Sequence, residues 1–247
     1  MKFSLQTIAI ICGMLTIDIM MPFKVLSQTP TCPSFGVTAP MSPFPKSQVN
    51  QLVGGTPQDA GRRFEDFSRG SLYFNSNPPV LNNTRAFQSP ARQQFAGIPN
   101  VVPDVVLPLL VVNPSGSQIF VDSVFDEVKA VIGTRLPPSY ENHQIRGHID
   151  HLGNLSPAGV STLSGSIPEI TFITTSDISA ISQLTIQLAA NEGVAVWHAI
   201  GCYENVPGRT RTYAQVSGSI LLNPWVYLSG LSIPLSPRNP GTPVFFP

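Results

Sequence analysis

The apolar and polar positions of this chain change period several times, and each change marks an element. Val105 to Val112 is a nearly unbroken β-branched run interrupted by Pro108. That pattern predicts an edge or bulged strand, because proline has no N–H to give a ladder. Asn113-Pro114-Ser115-Gly116 is a turn signal and Gln118 to Val121 resumes the extended pattern, so the two stretches predict a hairpin. Beyond it, Val121, Val124, Phe125, Val128, Val131 and Ile132 fall at helical spacing. With Asp122 or Ser123 as cap and Gly133 as stop, they predict a helix over about 122–132. A second helix is predicted over about 177–190, where Ile178, Ile181, Leu184 and Leu188 form one stripe. Ile170 to Thr174 and Val194 to Cys202 flank it as strands, and alternation puts Val194, Val196, His198, Ile200 and Cys202 on one face. Thr210 to Val216 and Ser219 to Leu228 predict a C-terminal hairpin. The element order predicts an α+β domain, mostly β, with a mixed sheet and two helices.

Outside this core, spanning 105–233, the pattern loosens. Residues 28–50 hold five prolines and read as a linker, 51–104 hold a short patterned stretch followed by an irregular region, and 234–247 form a Pro-rich tail with five more prolines. Residues 1–27 have the form of a secretory signal: Lys2, an apolar run from Ile8 to Ile17, then Val25 and Ser27 before a cut that leaves Gln28 first. The run is too short for a spanning helix, and no later stretch reaches the ~18 apolar residues one requires. The expectation is an exported chain, in the extracellular space or the periplasm and cell envelope, with no membrane span after cleavage.

Charge narrows the partners. The whole chain has 14 basic and 14 acidic side chains, and without those of the leader the balance is 12 to 13. Such a chain has no net electrostatic drive toward nucleic acid or an anionic membrane. Only Cys32 and Cys202 follow the leader, a pair that can form a disulfide in an oxidising compartment or remain as two thiols. Asn82 and Asn154 stand in glycosylation sequons, relevant in a eukaryotic host.

No nucleophile elbow, phosphate loop or dinucleotide fingerprint is present. The concentrated chemical signal is histidine. His143, His148 and His151 lie within nine residues, with Asp150 between the last two, and His198 sits on a predicted strand. His148, Asp150 and His151 are acceptable zinc ligands on a tight loop, and equally an ordinary polar turn. Trp197, Tyr203, Tyr213, Trp225 and Tyr227 fall in the late strands, either as a sugar-stacking platform or as core.

Two resemblances follow from quoted residues. The run Ile145-Arg146-Gly147-His148-Ile149-Asp150-His151-Leu152-Gly153 resembles the HxHxDH loop of the metallo-β-lactamase superfamily, with Asp122 and the 123–132 helix in matching places. The resemblance spans about 105–231 and implies a zinc hydrolase. However, Arg146, Arg209 and Leu231 stand where that family has metal ligands, which implies a reduced site confined to His148, Asp150 and His151. The stretch Leu52 to Tyr73 is similar to one LGFP repeat, through Gly55, Pro57, Gly61, Phe64, Phe67, Gly70, Ser71 and Tyr73. It implies association with the cell envelope and a short strand at Leu72 to Phe74. The reading that results is an exported, non-catalytic binding or structural protein without a cofactor. Its partners would be envelope polysaccharide or another surface protein, not nucleic acid. The alternative is a metallo-β-lactamase-like hydrolase carrying zinc.

Overall fold

The computed structural model describes residues 30–32, 42–43, 56–73, 83–89, 100–112, 117–130, 136–155, 167–175, 181–205, 212–228, 231–234 and 244–245. In chain order they form β1 (Ser42–Pro43), α1 (Pro57–Tyr73), β2 (Phe87–Gln88), β3 (Asn100–Val101), β4 (Val105–Val112) and β5 (Gln118–Lys129). Next come α2 (Pro138–Tyr140), a π-helical turn (Glu141–Ile145), α3 (Arg146–Leu155), β6 (Glu169–Thr174), α4 (Gln183–Asn191) and β7 (Ala195–Asn205). The last strands are β8 (Thr212–Val216), β9 (Ile220–Leu221), β10 (Trp225–Leu228), β11 (Leu231–Pro234) and β12 (Val244–Phe245). The fold class is α+β with a mixed sheet.

The main sheet has the order β12-β8-β7-β6-β5-β4, with β1 and β9 also paired to β7. Strands β5, β6 and β7 run parallel, while β4 and β8 join them antiparallel. One face carries α1. Thr56 opens that helix with a reciprocal cap: its hydroxyl accepts from Asp59 N at 3.2 Å and its own N–H donates to Asp59 Oδ2 at 3.2 Å. Ala60, Phe64 and Phe67 recur at helical spacing and pack on Val128, Ile173, Ala199, Tyr203 and Val216 of the sheet. Ser71 extends the stripe and accepts from Val216 N at 2.9 Å. The opposite face buries Phe125, Ile170, Phe172 and Val196 against Ile145, Ile149 and Leu152 of the central helix, which α2, the π-helical turn and α3 form in succession, and against Ile186 and Ala189 of α4. Sandwiched between helical layers, the central strands are buried on both faces, as parallel strands generally are.

That double burial accounts for the main departure. Residues 122–129 are strand, not helix: β5 continues to Lys129, and residues 131 and 132 lie outside the described set. A strand apolar on both faces shows no clean alternation, so its valines fell by accident at helical spacing. The predicted β4–β5 hairpin is present, with a register shift between Leu107 and Pro108 where proline breaks the ladder. The second helix is Gln183–Asn191, capped by Ser182, whose hydroxyl accepts from Thr185 N at 3.3 Å, and residues 176–180 lie outside the described set. Leu72 and Tyr73 end α1 instead of starting a strand. Residues 146–155 form α3, not a loop, because Ile145, Ile149 and Leu152 supply a stripe that pays for ordering the backbone. The expected C-terminal hairpin is replaced by separate pairings: β8 and β9 add to β7, and β10 pairs with β11. Residues 1–27, the stretch read as a leader, and Asn82 lie outside the described residues.

Candidate functional site

The hairpin register creates a cluster that neither the histidines nor the resemblances indicated. Val105 pairs with Asp126 across β4 and β5, so Asp104, one residue before β4, comes beside Glu127 and Lys129. On β5 itself, Glu127 and Lys129 are two residues apart and share a face. Lys129 Nζ lies 2.9 Å from Asp104 Oδ2 and 3.2 Å from Glu127 Oε2. The same Asp104 oxygen accepts from Val128 N at 2.8 Å, which fixes its carboxylate against the strand. The position is the carboxyl end of parallel strands β5 to β7, the end at which ligands bind in open parallel sheets.

Other elements converge on the same point. From the central helix, Tyr140 donates its hydroxyl to Glu127 Oε2 and His148 Nε2 contacts Glu127 Oε1. Lys129 Nζ also stands 5.3 Å from the centre of the Tyr140 ring, in cation–π range. Glu65 of α1 lies near enough for the charges of Asp104 and Lys129 to act on it. Its Oε1 is 3.5 Å from Arg69 Nη1 and, although buried, has no hydrogen-bond partner among the described residues. Exposure is graded: the Glu127 side chain is at 0%, Asp104 at 19% and Lys129 at 30%, so the cluster meets solvent at its lysine.

The electrostatics divide the carboxylates. Burial would raise the Glu127 pKa, but His148 and Lys129, together with hydrogen bonds from His148 and Tyr140, pull it down to about 2. Asp104 is pushed up by burial and by the charge of Glu127, against the pull of Lys129. Glu65 is likewise raised, by burial and by Asp104. Burial would lower Lys129, yet Glu127 and Asp104 hold it above its ordinary value, so it stays charged.

The residues singled out from sequence are dispersed among other partners. His148 is fully buried and faces Glu127. Asp150 accepts from Ser89 Oγ at 3.4 Å. His151 Nδ1 contacts Gln88 O at 3.1 Å and its ring stacks on Phe125 at 5.6 Å, with burial lowering its pKa. His198 is buried, contacts Thr174 Oγ1 at 2.8 Å and is lowered by burial to about 4. Among the described residues, no group of three or more His, Cys, Asp or Glu side chains is arranged to hold a metal ion. Cys32 and Cys202 are joined, with Cα atoms 5.7 Å apart. Asn154 is exposed at the end of α3. Of the late aromatics, Trp197 and Tyr203 are buried, Trp225 and Tyr227 are exposed, and the Tyr213 side chain lies outside the described set.

Fold and site together define a class: an α+β protein with an acid–lysine cluster at the carboxyl end of its parallel strands. Compared with family models, curated proteins and solved structures, the chain matches none.

Proposed function

We propose that this chain is an exported, non-catalytic binding protein of the cell envelope or extracellular space that holds glycan on β10. The observation that carries the reading is that Trp225 and Tyr227, two residues apart and so on one face of that strand, are both exposed although large and aromatic. The acid–lysine cluster fits a structural role: Lys129 Nζ already fills the point where Asp104 and Glu127 converge, and both Glu127 oxygens are bonded, Oε1 to His148 and Oε2 to Tyr140 and Lys129.

Export is part of the same proposal, supported by the Cys32–Cys202 link and the leader pattern.

The test is retention of the purified chain on immobilised cell-wall polysaccharide. Retention is expected that is lost in Trp225→Ala and in Tyr227→Ala, each checked for folding by circular dichroism. No retention, or retention unchanged in both variants, refutes the proposal.

A further inference from the structure

The β4–β5 hairpin runs past the sheet that holds it. Among the described residues, β6 pairs with β5 only from Val124 to Lys129, and the helical layers pack on β5 at Phe125 and Val128. Beyond that line the hairpin continues, with Asp122 opposite Pro108, Val121 opposite Leu109, Phe120 opposite Leu110, Ile119 opposite Val111 and Gln118 opposite Val112. At about 3.4 Å per residue the ribbon extends roughly 20 Å from Val124 to Gln118. Opposed residues share a face and successive ones alternate. One face of the projection therefore holds Phe120, Leu110 and Val112, and the other holds Val121, Leu109, Ile119 and Val111. A ribbon with a solvated face alternates apolar with polar residues, whereas apolar residues on both faces are the pattern of strands covered on both. No charged side chain occurs from Val105 to Val121. Yet Phe120 is 74% exposed, the most exposed large apolar side chain among the described residues.

We infer that the projecting half of the β4–β5 hairpin is a self-association surface, on which the same hairpin of a second copy of this chain docks about a two-fold axis. Two requirements select that occupant. The first is the open edge: β4 ends the sheet and, among the described residues, pairs with β5 alone. Its outward N–H and C=O groups from Leu109 to Val112 can accept a further strand. Pro108, with no N–H to offer, guards only the base of that edge. The second requirement is an apolar, uncharged surface. A lipid bilayer answers the second but not the first, because hydrocarbon gives an open edge no hydrogen-bond partner. The tip sequence Asn-Pro-Ser-Gly-Ser-Gln, residues 113–118, is also polar and would have to enter first. A second hairpin answers both, being extended, apolar and without charge to repel its twin. The nearest charge, Asp122 at the base, is already paired with Arg85 at 2.6 Å. A two-fold contact uses one patch twice, so Phe120 of each copy enters it.

Sedimentation velocity of the purified chain over a concentration series is the test, and a monomer–dimer equilibrium is expected. Phe120→Asp should raise its dissociation constant by at least about 30-fold, since an aromatic anchor is lost twice and two like charges are set together. Leu184→Asp charges another exposed apolar position, on α4, and should leave the equilibrium unchanged. Circular dichroism checks the fold of each variant. Hydrogen exchange of the unaltered chain needs no variant: peptides spanning 105–121 should gain protection as concentration rises, while peptides from α1 should not. A chain that stays monomeric throughout, a dimer untouched by Phe120→Asp, or an equal loss in Leu184→Asp overturns the inference. So does a monomer that binds phosphatidylcholine vesicles and loses that binding in Phe120→Asp, which would make lipid the occupant.

Discussion

Replacing Glu127 by Gln tests whether the buried cluster is an electrostatic unit. The Glu127 pKa falls from an ordinary 4.5 to about 2, because His148, Lys129 and Tyr140 outweigh the burial of its charge. At 1.36 kcal/mol per pKa unit, that difference is about 3 kcal/mol of stability. The sign follows from the direction. A lowered carboxylate stabilises the fold fully above pH ~4.5, and the contribution is lost as pH falls toward about 2. Asp104 and Glu65 act in the opposite sense: their raised values mean that the stability they add is present when they are protonated and is lost as pH rises through their folded pKa. The informative quantity is therefore the difference between the two chains. In Glu127→Gln, His148 loses its carboxylate partner and Lys129 loses one of its two acidic partners, keeping Asp104. Urea denaturation in EDTA, followed by fluorescence of the buried Trp197, should show the variant less stable by about 3 kcal/mol at pH 7, with the gap closing between pH 5 and 2. A gap that stays flat across that interval refutes the reasoning, because a mere packing defect has no pH dependence.

Two further outcomes follow from packing and covalent structure. A methyl group at Gly153 would meet Glu192 Cβ at 2.9 Å where α3 passes the end of α4, whereas one at Gly61 would meet nothing within 4 Å. Gly153→Ala should thus cost about 1–3 kcal/mol in thermal unfolding, and Gly61→Ala should raise stability by about 0.5–1 kcal/mol through helix propensity. The Cys32–Cys202 link closes a separation of 170 residues, so Cys202→Ala should lose about 2–4 kcal/mol and show one free thiol more than the unaltered chain by alkylation and mass measurement.

Much of the sheet was legible because its signals are local. Pro108 marked the irregularity in β4, the Asn-Pro-Ser-Gly turn joined β4 to β5, and the stripe ending near Gly193, which takes φ 73°, located α4. The central helix was missed because His148, Asp150 and His151 drew the reading toward a metal loop, although Ile145, Ile149 and Leu152 carry a helical stripe through the same residues. For Asp104, Glu127 and Lys129 a sequence signal did exist: an acid just before one strand, and an acid and a lysine at period two on its hairpin partner. It was invisible once 122–132 was taken for a helix, where positions 127 and 129 diverge by about 200° instead of sharing a face.

What the chain alone determined, then, is its local geometry: the β4–β5 hairpin, its irregularity at Pro108, the end of α4 near Gly193 and the alternation of β7. Only the tertiary structure decided that β5 is a strand, since burial of both its faces overrode a helical spacing of apolar residues. Only it set Asp104 beside Lys129 and brought Tyr140 and His148 onto Glu127. Those contacts span 13 to 25 residues, and they depend on strand register and on a π turn that local propensity does not encode.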